Sequence, residues 1–256
     1  MLASLEPAWV LHRRPYGDGS LIVECFALES GRFSAVLRGA QRKHRGGSLA
    51  GQAQAFNPLL VKAIGRGELK TMRQIESAGI AIPLVGRALF SGLYINELLI
   101  RTLPRFDPYP RLFAHYGQLL PRLRSHDESQ LRVFELALLE ELGYELIFAH
   151  DADGELIDPR RHYHYRADNG FRVKPIDAQG SAVDDGAIDI SGEVLMLLAQ
   201  WRHAETELNP VQWRMLKQIT RLALKRHLGD RPLRSRDLFN AFAQPMGASL
   251  DDNSDT

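Results

Sequence analysis

At Pro83 the hydrophobic pattern of this 256-residue chain changes its period, and that change constrains the fold more than any other feature. Alternation near two places side chains on opposite faces of a strand, whereas spacing near 3.6 lines one face of a helix. Before Pro83 the apolar runs are short: Ala8 to Arg13, Leu21 to Leu28, Arg32 to Arg38, Leu59 to Ile64 and Glu68 to Met72. Glycine-marked turns separate them at Tyr16 to Ser20, at Ser30-Gly31 and at Gly65-Arg66-Gly67. Five such strands in so short a stretch suit a closed barrel of the OB type, because a lone open sheet would leave two edges to protect. The expectation for residues 1–79 is therefore a five-stranded OB-fold barrel.

Beyond Pro83 the reading is helical, with segments at Leu84 to Leu103, Arg111 to Leu123 and Glu128 to Leu142. In the last of these Leu131, Phe134, Leu138 and Leu142 share one stripe, and Gly143 supplies a C-cap. The pattern breaks where His162 to Arg166 and Phe171 to Val173 flank Asn169-Gly170, a strong hairpin signal. Helices resume after Ser191, after Asn209-Pro210 and after Ser235, each an N-cap candidate. The fold class expected is α+β: the barrel, then a mainly helical domain over 80–243 with a hairpin insertion near 150–175. The polar, acidic residues 244–256 read as a disordered tail.

Composition excludes several classes. No run of about 18 uncharged apolar residues exists to span a membrane. The first ten residues carry Glu6 and Pro7 and do not read as a signal peptide. One cysteine, Cys25, cannot form an intramolecular disulfide or a multi-cysteine zinc site, and a cytoplasmic location is the expectation. Residues 1–79 hold 11 Lys and Arg against 6 Asp and Glu, net +5, whereas residues 151–207 hold 6 against 12, net −6. A basic end on a nearly neutral chain points to a polyanion surface.

Catalytic signatures are missing. There is no GxxxxGK[ST] and no GxGxxG; Gly65-Arg66-Gly67-Glu68 lies between strands, not before the helix that would cradle phosphate. Cys25 sits in an apolar strand with no basic neighbour. No GxSxG elbow occurs, and Glu140 and Glu141 are adjacent on a helix and diverge. His162 and His164 face one side of a strand near His150, Asp151 and Asp153, a spacing that could chelate a metal; exposed hairpin histidines are the favoured reading. No enzyme activity, catalytic residue, cofactor or metal is expected.

The positive signal is basic. Arg13, Arg14, Arg32, Arg38, Arg42, Lys43, Arg45, Lys62, Arg66, Lys70 and Arg73 all lie in the barrel segment. OB barrels hold single strands by a basic groove and by aromatic rings on which bases stack. Arg14, Arg32, Arg38, Arg42, Lys43, Arg45, Lys62 and Lys70 are the candidate phosphate contacts. Tyr16, in a turn, is the best stacking candidate; Trp9 and Phe33 lie in apolar runs and read as core.

These features come with an ordered set of motifs that resembles the RecO family along most of the chain. The set comprises Trp9 to Pro15, Glu29-Ser30-Gly31-Arg32, Arg38 to Lys43, Gly67-Glu68-Leu69-Lys70-Thr71, Ser91 to Leu98, Arg132 to Leu139 and Leu233 to Phe239. Within it, Leu93-Tyr94-Ile95-Asn96-Glu97-Leu98 is the most specific run. The resemblance implies an OB fold followed by a helical domain, and a role in recombinational DNA repair. It implies binding of single- and double-stranded DNA, annealing of complementary strands, and work with RecR to load RecA onto DNA coated by single-strand-binding protein. A nucleoid-associated place in the cytoplasm goes with that role. Some family members carry a four-cysteine zinc site in the second domain; residues 150–174 hold no cysteine, so no structural zinc is expected here.

A partner site follows from residues and resemblance together. Single-strand-binding proteins end in an acidic tail with a terminal hydrophobic residue and a free carboxylate, which suits a cation beside a small apolar pocket. Leu131 and Arg132 on the third helix, with Arg122 and Arg124 upstream, are the candidates. Arg132 reads as a flanking surface charge whose loss should leave the melting temperature unchanged. Two rival functions remain open from sequence: an RNA-binding OB-fold protein, and a hydrolase built on His162 and His164.

Overall fold

The computed structural model describes residues 4–44, 47–125, 129–174, 186–203, 206–229 and 231–243. The expected tail over 244–256 lies outside them, as does Arg45. The N-terminal part is a closed barrel of β1 (Glu6–Tyr16), β2 (Ser20–Ala27), β3 (Gly31–Leu37), β6 (Pro58–Ile64) and β7 (Leu69–Ser77). Between β3 and β6 lie two short strands, β4 (Lys43–His44) and β5 (Gly47–Ser48), and one helical turn, α1 (Leu49–Gln52). The order around the barrel is β1-β2-β3-β7-β6, with β6 closing on β1. Every neighbouring pair is antiparallel except β3 and β7, which run parallel. This is the OB arrangement expected from the five strand signals.

Alternation along these strands sorts their side chains. Val10, Val23, Cys25, Phe33, Ala35, Val61 and Met72 fill the barrel interior. Trp9, Leu11 and Phe26 point outward, yet they are buried, because the helical half packs over that wall. Phe26 lies 5.5 Å, ring to ring, from Phe113, and Trp9 lies 5.4 Å from Tyr116. Trp9 and Phe33 are thus core residues, as their apolar runs suggested.

The helices are α2 (Gly86–Thr102), α3 (Pro110–Arg122), α4 (Ser129–Glu141), α5 (Gly192–Arg202), α6 (Pro210–Leu228) and α7 (Arg234–Ala243). Their ends follow the sequence signals closely. Gly143, at φ 82°, receives the chain leaving α4: its N–H donates to Glu140 and that of Tyr144 to Leu139, the two bonds of a Schellman cap. Ser191 caps α5 through Val194 N–H. Asn209 and Gln212 form a reciprocal capping box on α6. Ser235 falls inside α7 instead of capping it, because a side chain of α2 takes its place.

The hairpin at Asn169-Gly170 joins β8 (His162–Arg166) to β9 (Gly170–Val173), and a third strand, β10 (Ile188–Ser191), pairs with β8. That strand has only four residues and runs straight into the α5 cap, which left no separate signal. The α4 reading needs correction. It is not a helix with one apolar stripe: Leu131, Arg132, Phe134, Glu135, Leu136, Ala137, Leu138 and Leu139 are all buried. Helices α3 and α6 both pack on it, so even the charged Arg132 and Glu135 face protein. No helix among the described residues is long and apolar enough to cross a membrane.

Candidate nucleic-acid interface and anion groove

The barrel distributes its basic residues unevenly. Arg14 stands opposite Ile22, which stands opposite Val36, so these three share one outer row across β1, β2 and β3. Arg38 lies two residues beyond Val36 at the same end of β3. Arg14, Arg38 and Arg42 are exposed, and none of them makes a hydrogen bond or ion pair through its side chain among the described residues. Lys62 is half-buried, stands opposite Gln74 on the wall made by β6 and β7, and is likewise unpaired. Unneutralised charge of this kind is what a polyanion surface requires. Lys43 belongs to β4 by its backbone; its side chain, like Arg45, lies outside the description.

Two of the expected phosphate contacts are committed elsewhere. Arg32 pairs with Glu24 and donates from Nε to the carbonyl of Leu103 at 2.9 Å, with little of its side chain exposed. It braces the barrel against the end of α2, and a guanidinium spent on those acceptors has little left for phosphate. Arg13, from the wider basic set, similarly donates to the carbonyl of Ala50. Lys70 donates to the carbonyl of Gly65 at 2.9 Å and lies over the ring of Phe106, 4.5 Å from its centroid. Tyr16, 48% exposed at the β1–β2 turn, remains available for stacking.

A second site lies in the helical half, where α2, α4, α6 and α7 enclose a groove of about 1200 Å³. Its apolar walls include Phe90, Tyr94, Leu131 and Phe239, and its cations are Arg132, Lys217, Arg221, Lys225, Arg231 and Arg236. At its base Arg132 is 4% exposed and pairs with the fully buried Glu135 at 2.6 Å. Glu135 also accepts from Tyr94 at 2.7 Å and from Thr220 at 2.6 Å. Burial, and then the Glu135 charge, pushes the Tyr94 phenol well above its usual range, so it stays a donor.

This base is incomplete in a specific way. Arg132 Nε and Nη1 are buried and make no hydrogen bond. Buried donors are normally satisfied, and a charged one left without an acceptor is costly. Arg221 adds to the imbalance: partial desolvation, and then the charges of Arg236 and Arg132, push its guanidinium below the ordinary arginine value. Arg221 is exposed, so its charge is open to an anion in the groove, whereas the two Arg132 donors lie beneath the surface. Of the four tail-site candidates from sequence, Leu131 and Arg132 line this groove. Arg122 and Arg124 do not; they are exposed near the end of α3, where Arg122 meets Gln130. The expectation of Arg132 as a flanking surface charge is also corrected, because α4 is buried on that side. Lys217, Arg221 and Arg236 were missed, since they come from helices far along the chain and only packing assembles them.

The histidine cluster does not form a centre. Asp153 pairs with Arg172, and Asp151 accepts the backbone N–H groups of Asp153 and Glu155. No group of three His, Cys, Asp or Glu among the described residues is arranged to hold a metal ion. Cys25 is fully buried inside the barrel, and burial, with Glu24 and Glu6 nearby, pushes its thiol far upward.

Comparison with known proteins agrees with this architecture. Residues 1–81 match the family described as Recombination protein O N terminal, and residues 85–237 match Recombination protein O C terminal. The chain is 42% identical over 242 residues to a DNA repair protein RecO of Aliivibrio salmonicida (strain LFI1238), covering 93% of this chain and 96% of the relative. Similar relatives, also named DNA repair protein RecO, occur in Alkalilimnicola ehrlichii (strain ATCC BAA-1101 / DSM 17681 / MLHE-1), 41% identical over 96% of this chain and 94% of its own, and in Pasteurella multocida (strain Pm70), 39% identical over 94% and 97%. With both halves matched and close relatives aligned along nearly its whole length, the chain belongs to the RecO family of DNA repair proteins.

Proposed function

We propose that this protein is a non-enzymatic mediator of recombinational repair. It binds single- and double-stranded DNA through the barrel, anneals complementary strands, and works with RecR to load RecA onto DNA coated by single-strand-binding protein. The observation that carries the reading is the exposed set Arg14, Arg38 and Arg42 on an OB barrel, unpaired among the described residues. Annealing needs two like-charged backbones to meet, and fixed cations lower that repulsion without consuming a nucleotide. Phosphate contacts carry no base information, which suits a protein that must act on any sequence.

Recruitment falls to the groove. An acidic peptide with an apolar end and a free carboxylate fits a cationic cleft with Phe90, Leu131 and Phe239 in its walls and the guanidinium groups of Arg221 and Arg236 beside them. The tail of single-strand-binding protein has that chemistry. Titrating a labelled tail peptide, and separately single-stranded DNA and RNA of equal length, into the purified protein tests both halves. Binding of the peptide and of DNA without added nucleotide supports the reading. Failure of the peptide to bind removes the recruitment step, and a clear preference for RNA replaces DNA as the substrate.

A further inference from the structure

The connection between α2 and α3 crosses the start of β3 at unusually close range. Phe106 N–H donates to the carbonyl of Arg32 at 2.9 Å, and Arg105 donates to Ser34 Oγ at 3.1 Å. A Cβ built on Gly31, which sits at φ 65°, would lie 2.0 Å from the carbonyl oxygen of Asp107. Only glycine permits this approach. The connection is therefore fixed against the barrel by three separate features.

What it fixes is an aromatic ring in the open. Phe106 adopts φ 60°, a left-handed conformation that a bulky residue rarely takes. The residue is 41% exposed although Leu103, three residues earlier, is buried in the core of the helical part. Lys70 holds its ammonium 4.5 Å from the ring centroid, and Leu69 beside it is also exposed. Arg66 and Arg73, at the turn before β7 and within it, are exposed and unpaired among the described residues. The acidic groups nearest in sequence are Glu68 and Asp107, and the Asp107 carboxylate accepts from Tyr109 at 3.0 Å. A surface ring with an ammonium over one face fits a ligand whose flat apolar group takes the other face or displaces that ammonium, and whose negative charge the cation meets.

We propose that Phe106 is a stacking platform for an unpaired base of single-stranded nucleic acid. The proposal rests on the DNA-binding reading above and adds a residue outside the barrel sequence. Phe106 stands near the first residues of β3, and Arg38 follows its last. Seven extended residues separate the two by about 20 Å. A single strand laid along β3 meets cations at one end and the ring at the other, within the span of about 4–16 nucleotides that one OB barrel holds. A duplex offers no free base face, so the ring discriminates between strand states rather than between sequences.

The test compares wild type with Phe106→Ala, Phe106→Trp and Phe106→Gly. The glycine variant removes the ring and relieves the left-handed backbone, so it folds even if the alanine variant does not. The probes are a labelled oligothymidylate, an abasic oligomer of equal length and a duplex. The expected result is single-strand binding weakened by about five- to a hundredfold in the alanine and glycine variants, the size of one lost base–aromatic stack. Phe106→Trp retains it. All four proteins bind the abasic oligomer and the duplex alike, with the same salt slope. Equal oligothymidylate affinity of wild type and the ring-less variants overturns the proposal, as does an equal loss on the abasic oligomer. A wild type that binds no single strand overturns the DNA-binding reading itself.

Discussion

The side-chain amide of Asn96 on α2 donates to the carbonyl of Leu11 in β1 at 2.8 Å. That carbonyl is spare because β1 bulges there: the register with β2 slips between Val10 and His12. Tyr116 completes the set by donating to Asn96 Oδ1 at 2.6 Å. All three groups are buried, so the barrel and the helical half are joined by a polar contact with no access to water. Asn96→Leu leaves both a carbonyl and a phenol without a partner. The expected loss is about 1–3 kcal/mol for each orphaned group, read as a lowered urea midpoint. A change under about 0.5 kcal/mol, the scale of an ordinary surface substitution, would mean that the bond does not hold the halves together.

Arg132 and Glu135 make a second buried pair, and its two members are not equivalent to surface charges. Arg132→Ala strands a carboxylate with only the hydroxyls of Tyr94 and Thr220, at a cost of about 3–5 kcal/mol. Replacing both residues by Met restores much of the stability but not anion binding. Arg221→Ala, at the groove wall, keeps the melting temperature and lowers tail-peptide affinity by about tenfold or more, as for loss of a charge-assisted bond. Thermal melts beside peptide titrations separate these outcomes.

Glu97 ties α7 to α2. Its carboxylate accepts the backbone N–H groups of Arg234 and Ser235 and the Ser235 hydroxyl. Burial alone would raise its pKa, but these hydrogen bonds and the Arg101 charge outweigh it and hold the carboxyl below its usual range. The contribution is therefore full above the unfolded carboxyl value and is lost as pH falls through the lower folded one. Amide exchange at Arg234 and Ser235 is expected to quicken on acidification relative to the intrinsic rate. In Glu97→Gln that quickening is expected to be already present at neutral pH.

Local signals in the sequence were sufficient wherever neighbours in the chain decide the structure. The five strands, the Asn169-Gly170 hairpin, the Asn209 cap and the Gly143 stop all follow from residues close to each other. The run Leu93 to Leu98 was recognisable as a motif, yet its reasons were not legible: Tyr94 serves Glu135, Asn96 serves Leu11, and Glu97 serves Ser235. Each partner is distant in sequence. The same holds for the groove, whose cations come from α4, α6, α7 and, with Arg231, the link between the last two. Arg32 shows the opposite error, a basic residue whose partners Glu24 and Leu103 turn it inward.

That difference among arginines is measurable by salt dependence. Replacing Arg14, Arg38 and Arg42 by Ala should reduce the single-strand slope of log affinity on log salt by about 2, taking about 0.7 per phosphate. Arg32→Ala should leave the slope intact and lower stability instead, because it unpairs Glu24. Equal slopes for the triple variant and wild type would remove these three residues from the interface.

The central claim is that cation placement, without catalysis, brings strands together on DNA already coated by a partner. It is tested most directly by annealing complementary oligonucleotides coated with single-strand-binding protein, in the absence of any nucleotide. Wild type is expected to anneal them, and to lose that ability when Arg221 is replaced by Ala or when the partner lacks its acidic tail. Annealing of bare strands should persist in both cases. Strict dependence on added ATP, or coated-strand annealing indifferent to the tail and to Arg221, would contradict the account.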